Sequence, residues 1–308
     1  MLQSAYTKTL TNVGLKYMQD PKKFKATKIF PMCPVTLMSS TFPTYGKEYW
    51  FKNEATIRTP GTESSGSRHG RGTDSYACQD VSHHEDVPEE YIKNDPEPLN
   101  PLKAATRRVS QIISTFDEVD FASRFFSGAA GWTAGATPAT RWDAANSTPL
   151  EDIDGYKRGM ESTTSFEPNK LVMSKVVFDV LKRHEQVKEQ IKYTSASNVT
   201  AQLLAKLFEV DEVVVLSAVY DSAAYGASAS MDYIAGNHML LLHVTDSPSL
   251  ESPSAGYNFA WSGYGKNGYK VKTIELETQG ATRVEAHNYH DMRKVAGDLG
   301  VFVETPLT

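Results

Sequence analysis

Gly263-Tyr264-Gly265-Lys266-Asn267-Gly268 spells the GxGxxG pattern. In dinucleotide-binding proteins that pattern follows a strand and opens a helix, so that the helix N-terminus meets a pyrophosphate. Here Tyr269-Lys270-Val271-Lys272-Thr273-Ile274-Glu275 follows, and its alternation predicts a strand. The context is wrong for a nucleotide, and the glycines predict a hairpin turn. His83-His84-Glu85-Asp86 is the densest run of metal-ligating side chains, with Cys78 five residues upstream. A tetrahedral site needs about four ligands at fixed angles. Neighbours in a strand point to opposite faces, so His83 and His84 do not readily share an ion, and the run predicts a polar hairpin base. His287 and His290, in a predicted strand, also fall on opposite faces. Ser254, in Ser252-Pro253-Ser254-Ala255-Gly256-Tyr257, is the nearest approach to an exposed serine turn, but it lacks the glycines of a nucleophile elbow. No HExxH and no GxxxxGK[ST] occurs, and the acidic pairs Asp152/Asp154 and Glu89/Glu90 have no catalytic context. No catalytic residue, cofactor site or metal site is therefore assigned, and the expectation is a protein that is not an enzyme.

The elements in which these residues sit have an informative order. Residues 1–46 carry Pro21, Pro31, Pro34 and Pro43, too closely spaced for a long helix, with apolar residues scattered between them. This predicts an arm lying across the body or across a neighbouring subunit; an ordinary N-terminal subdomain is the alternative. Residues 47–90 predict a long β-hairpin. Tyr49, Phe51, Ala55 and Ile57 alternate with Trp50, Lys52, Glu54, Thr56 and Arg58. A tip rich in Gly61, Gly66, Gly70 and Gly72 follows, then a return strand around Ser75–Val81. A two-stranded ribbon is not stable alone in water, so it needs another surface, here taken to be an adjacent subunit. A surface loop without a partner is the alternative.

Residues 99–127 predict a long helix. Leu102, Ala105, Val109, Ile112, Phe116 and Val119 form one apolar stripe, with Lys103, Arg107, Arg108, Gln111, Asp117 and Glu118 mostly off it. Asn100 is the expected N-cap, Pro101 the first helical residue and Gly128 the C-terminal stop. Such a helix spans roughly 40 Å and suits a strut, although the stripe would equally suit an ordinary core face. A shorter helix is expected at Glu151–Ser162 and a strand at Leu171–Met173. Ser174 should cap a helix reaching about Tyr193, and Asn198 another through Phe208. Further strands are expected at Val213–Ser217, Met239–Val244, Tyr269–Glu277, Arg283–Tyr289 and Lys294–Val303. The class is α+β.

Composition bounds the partners. The chain has 308 residues, enough for one large domain or two modest ones. Hydrophobic residues make up 40% and charged residues 22%, which permits a packed core. A net charge of −5 argues against a chain that binds nucleic acid directly. Two cysteines, Cys33 and Cys78, exclude a disulfide-rich scaffold and a four-cysteine zinc site. No signal peptide is read at the start, and no apolar run approaches the roughly 20 residues that cross a bilayer. A cytoplasm-like compartment is expected.

Residues 142–193 resemble a known family. Trp142-Asp143, Asn146-Ser147-Thr148-Pro149-Leu150-Glu151-Asp152-Ile153, Pro168-Asn169-Lys170-Leu171-Val172-Met173-Ser174, Val180-Leu181-Lys182-Arg183-His184 and Ile191-Lys192-Tyr193 follow one another as in major capsid proteins of tailed bacteriophages. Leu203–Val215 and Val295–Val303 resemble that family's next unit and closing strands. The resemblance implies the HK97-like capsid fold. Residues 1–46 would be the N-terminal arm, 47–90 the extended E-loop hairpin, 91–165 the peripheral domain with its spine helix, 166–267 the axial domain, and 268–308 strands returning to the peripheral domain.

The resemblance also implies a function: self-assembly into an icosahedral head shell around phage double-stranded DNA, which is enclosed without specific binding. Hairpin-tip residues Gly61, Gly66, Arg68, Gly70, Arg71 and Gly72 would touch neighbouring subunits, while Val109, Ile112, Phe116 and Val119 would form the spine-helix core. The implied partners are copies of the chain as hexamers and pentamers, a scaffolding protein, a portal, and a decoration or cement protein. No membrane or cofactor is implied. No helical scaffolding segment is read ahead of the arm, so a separate scaffold or a removed propeptide is expected. Self-catalysed crosslinking, known in some relatives, would need a lysine on the hairpin; Lys47 and Lys52 lie at its base and the tip has none, a departure that tells against it. An encapsulin-like compartment shell shares the fold, but residues 1–46 do not read as the N-terminal cargo helix of that group. An unrelated α+β enzyme is the remaining alternative.

Overall fold

A computed structural model describes residues 19–44, 46–47, 51–68, 70–94, 100–132, 134–144, 146–192, 199–224, 226–248, 253–304 and 306–307. Residues 1–18 of the expected arm, Tyr49 and Trp50 of the expected strand, and the helix ends expected at Tyr193 and Asn198 lie outside the described residues.

In chain order the elements are β1 (Met32–Val35), β2 (Ser39–Thr44), β3 (Gly72–Ala77), β4 (Gln79–Pro88), α1 (Glu89–Asn94), α2 (Pro101–Phe125), β5 (Ala134–Ala136), α3 (Pro149–Thr164) and β6 (Lys170–Ser174). Then come α4 (Lys175–Arg183), α5 (Glu185–Ile191), α6 (Ala201–Leu207), β7 (Glu212–Leu216), β8 (Val219–Asp221), β9 (Met231–Tyr233), β10 (Met239–Leu242), β11 (Gly256–Trp261), β12 (Tyr269–Leu276), β13 (Ala281–Lys294) and β14 (Gly300–Val303). The α+β class is as the sequence predicts.

The first sheet is built on β13. At His290 its partners are Gln79 of β4 and Ala260 of β11; at Asn288 they are Val81 of β4 and Tyr269 of β12. A strand has only two edges, so β11 and β12 lie end to end on the edge opposite β4. The GxGxxG segment is therefore not a hairpin turn. It is a looped break within one long interrupted strand, because both halves pair with β13 and not with each other. Gly265 (φ +66°) and Gly268 (φ +79°) make the break possible. A Cβ on either would come within 2.2 Å of Tyr269 O or 2.3 Å of Tyr289 O. The other end of the ribbon turns through Gly280, also left-handed (φ +56°).

Helix α2 lies along one face of this sheet. It starts as predicted: Lys103 N donates to Asn100 Oδ1 at 2.9 Å, and Pro101 opens the first turn. It ends on Phe126, whose N–H donates to Ala122 O; Gly128 begins a short 3-10 turn and does not stop the helix. Its buried residues include Ala105, Val109, Ile113, Asp117, Phe121 and Phe125, spaced by four. Of the expected core stripe, Val109 is sealed and Val119 half-buried, but Ile112 and Phe116 are 37% and 50% exposed. The reason is tertiary: Val81, Val87, Val271, Val284 and Ala286 meet the helix at Ala105, Val109 and Ile113.

The opposite face of the sheet is polar. The ion pairs Arg283–Asp86 (2.7 Å) and Lys272–Glu285 (3.1 Å) and the His287 Nδ1–Asp80 Oδ2 contact (2.9 Å) form a polar ladder across it.

The second sheet runs β5-β14-β10-β6-β7 and is covered on both faces. Leu171, Met173, Met239, Leu241, Val301 and Val303 face α3–α6, Trp142 and Phe208. Val172, Leu240, Leu242 and Phe302 face Phe30, Phe121, Phe125 and Phe126. Alternation persists, but both sides are apolar, which explains the continuous apolar strands in the sequence. The helix expected to run on from Ser174 is two helices. His184 (φ −63°, ψ 138°) ends α4 and caps α5, its Nδ1 accepting from Gln186 N at 3.3 Å. The cap of α6 is Thr200, not the expected Asn198.

Candidate functional site

The hairpin is not where the alternation of residues 49–58 places it. Its strands are β2 and β3, paired from Ser39↔Ala77 to Thr44↔Gly72. Residues 52–59 form no strand, because among the described residues no strand lies beside them to accept their hydrogen bonds. The return strand starts at Gly72, earlier than expected. It breaks at Cys78, whose N–H donates to Met38 O at 2.8 Å, and β4 then leaves to pair with β13.

Between β2 and β3 the described residues 51–68 are all exposed. Thr62 N and Oγ1 both donate to Thr59 O, at 3.1 and 2.8 Å, around Pro60-Gly61 with Gly61 at φ +87°. Proline then glycine of positive φ is the signature of a type II turn. Of the expected tip residues, Gly61, Gly66, Arg68 and Arg71 are exposed and Gly70 is half-buried. Gly72 belongs instead to the ribbon's pairing, where a Cβ would lie 2.5 Å from Thr44 Oγ1. Phe51 is 59% exposed and Ile57 fully exposed, and no described residue covers them.

The strands that carry the loop are firmly rooted. Tyr76 stacks on Phe259 at 4.5 Å, Phe42 lies 5.5 Å from the same ring, and Cys78 Sγ donates to Phe259 O at 3.5 Å. Ala77 N donates to Asp291 Oδ2 at 3.0 Å. Burial pushes the Cys78 thiol up to about 11, which makes it an inert core group.

The sequence reading missed a second feature, a polar joint beneath α2. Asp117 and Glu118, expected off the buried face, are 4% and 2% exposed. Asp117 Oδ2 accepts from Asn288 Nδ2 at 3.1 Å, and its Oδ1 lies 3.4 Å from His290 Nε2. Burial, helped by the charges of Asp120 and Glu118, pushes the Asp117 carboxyl up to about 7 against the Asn288 hydrogen bond. Burial also lowers His290. Glu118 Oε1 accepts from Lys25 N and from Ala26 N (2.8 Å), tying residues 25–28 to the helix; burial raises this carboxyl too. The signal available in sequence was the four-residue spacing Ala105, Val109, Ile113, Asp117, Phe121 and Phe125.

The groups read for chemistry are placed as structural parts. His83 and His84 sit on exposed β4, and among the described residues no three His, Cys, Asp or Glu side chains could hold a metal. Ser254 is not exposed: it is 1% accessible and donates to Gly256 O at 3.0 Å. Ser147 Oγ does lie 2.9 Å from His184 Nε2. However, His184 Nδ1 accepts the Gln186 N–H, so Nε2 carries the proton and donates to Ser147. Ser147 in turn donates to Ala144 O at 2.6 Å, the reverse of what a nucleophile needs. The residues of the 142–193 run are likewise structural: Trp142 is fully buried, and the Asn169 side chain pairs both ways with Val244, at 2.8 and 2.9 Å. No described helix is long and apolar enough to cross a membrane.

Comparison with known proteins follows the same lines. The model of the family described as "Phage major capsid protein E" matches residues 132–284. The chain is 27% identical over 217 residues to the major capsid protein of Burkholderia phage BcepMu, covering 68% of each. Among solved structures, a phage-related protein of Bordetella bronchiseptica RB50 superposes with a TM-score of 0.71 at 24% identity, over 94% of each chain. The capsid of Myoviridae phage XM1 gives 0.57 at 10% identity, over 94% of each. The SrpI encapsulin of Synechococcus elongatus PCC 7942 gives 0.56 at 11% identity, over 98% of this chain and 94% of that one, a distant likeness of fold alone.

Proposed function

The chain is a phage major capsid protein of the HK97-type fold, a head-shell subunit, and from that premise we propose that its β2–β3 loop is the part through which one copy holds the next. The observation that carries this is the loop itself: Phe51 and Ile57 stand in solvent on a segment rooted through Tyr76 and Phe259 in the core. A monomer gains nothing from extending apolar side chains into water; a shell subunit gains a grip on its neighbour.

On this reading residues 1–46 are the arm, 47–90 the extended loop and its return, 91–165 the peripheral unit with α2 as its spine, 166–267 the axial unit, and 268–308 the returning strands. The units share sheets, since β11 pairs with β13 and β14 with β10. Copies group as hexamers and pentamers around double-stranded DNA, which the net charge of −5 does not attract. A scaffolding protein, a portal and a decoration protein are the partners of this class, and assembly takes place in the host cytoplasm. The role is structural, without cofactor or catalysis. Gly61, Gly66, Arg68, Gly70 and Arg71 lie on the contacting segment, and Gly72 at its root.

The test is sedimentation and negative-stain microscopy of the expressed protein. Closed shells of uniform diameter are expected; a stable monomer under every condition overturns the proposal. Buried area per subunit should be several times a standard interface of about 1,600 Å².

A further inference from the structure

Two surfaces of opposite charge are attached near the two ends of β13. The first is the β2–β3 loop. Its residues 51–71 hold Lys52, Arg58, Arg68 and Arg71 against Glu54 and Glu63. Arg58, Arg68 and Arg71 are exposed, and none is in an ion pair among the described residues. The second is the tip of the β12–β13 ribbon with α1, which sits on it through Glu89 N donating to Gly280 O at 2.9 Å. This end carries Glu85, Asp86, Glu89, Glu90, Glu275 and Glu277. Arg108, Arg283 and Lys93 answer the first three, at 3.2, 2.7 and 2.5 Å. Glu90, Glu275 and Glu277 are exposed and in no ion pair among the described residues. The same end exposes two large apolar side chains, Tyr91 (64%) and Ile274 (37%). Helix α1 itself buries none of its residues fully.

The loop is rooted at Asp291 and the acidic end begins at Ala281. Ten residues of β13 separate them, about 34 Å of strand. The root of the loop and the acidic end are thus set apart along β13. Surfaces that are complementary but far apart on one molecule are satisfied by a second copy, head to tail. Such a heterologous contact closes into a ring when the rotation per copy divides a full turn.

We propose that Arg58, Arg68 and Arg71 of one copy dock on Glu90, Glu275 and Glu277 of a second copy, with Phe51 and Ile57 packing against Tyr91 and Ile274. This rests on the capsid reading and names the sign and place of the contact. The pairing steers encounter and is screened as the Debye length falls from about 10 Å at 0.1 M salt to about 3 Å at 1 M.

The experiment measures pelletable shells from cells expressing each chain. R58E/R68E/R71E and E90K/E275K/E277K should each lower the shell yield at least tenfold, with circular dichroism and melting unchanged, since all six residues are exposed. The chain carrying all six changes should recover most of the yield. Wild-type yields from either triple variant overturn the contact and leave the capsid reading intact, as does a six-fold variant no better than the triples. Should a reversed chain fail to fold, R58S/R68S/R71S and E90S/E275S/E277S, which add no charge, carry the test of lost yield: a yield lowered several-fold supports the contact and a wild-type yield overturns it. No shells from the wild-type chain under any condition would overturn the capsid reading itself.

Discussion

Asp117 of α2 and His290 of β13 face each other beneath the helix, Oδ1 to Nε2 at 3.4 Å, and both are nearly sealed from water. This contact joins the middle of the long helix to the longest strand, in the one position of the 105–125 stripe that is charged.

It gives a pH dependence with a defined sign. The Asp117 carboxyl is raised from 3.8 to about 7, so between those values the folded chain holds a proton that the unfolded chain has lost. Its contribution to stability is present in full below pH 3.8 and is lost as pH rises through 7. His290 is lowered, so its contribution runs the other way and is lost as pH falls below 6.5. Asp117→Asn keeps the shape and one acceptor for Asn288 but removes the charge. It should stabilise the subunit at pH 8 by about 2–4 kcal/mol and flatten the melting temperature between pH 4 and 8. A variant that melts lower than the wild type at pH 8 would show that the ionised carboxylate is favoured there.

The two faces of α2 should respond unequally to one substitution. Ile113→Asp buries an unpaired charge against Ala286 and should cost about 3–5 kcal/mol. Phe116→Asp sits on the half-exposed side and should change subunit stability by under about 1 kcal/mol. Thermal melts of the two variants as unassembled subunits check this; equal losses would place Phe116 in the core after all.

Glycine at 268 should resist replacement where glycine at 66 does not. Gly268→Ala puts a methyl 2.3 Å from the Tyr289 carbonyl at a left-handed φ, and should cost at least about 2 kcal/mol. Gly66→Ala has open space around it and should be neutral in the subunit. Denaturant midpoints separate the pair.

Removal of residues 60–68 should leave the subunit's melting temperature within about 2 °C of wild type, because none of them packs on the body. Shell assembly should fall sharply. Normal particles from the deleted chain would remove the loop from the contact.

The sequence alone determined the class, the start of α2 at Asn100-Pro101, the buried strands β6, β7 and β10, and the strand that follows Gly263–Gly268. Each of these depends on local chemistry: a cap, an apolar run, an alternation. It also carried the family resemblance in Trp142, Asn169 and their neighbours. Only the tertiary structure decided which face of α2 is core, because both Ile112/Phe116 and Ile113/Phe121 form apolar stripes and the choice lies with the strands that meet one of them. Only it decided that β2 pairs with β3, since residues 51–58 have no partner strand among the described residues. The buried Asp117 was legible only through the four-residue spacing that runs from Ala105 to Phe125, and Glu118 not even through that. A carboxylate in sequence reads as solvent-facing until Asn288, His290 and the N–H groups of Lys25 and Ala26 are brought to it from distant parts of the chain.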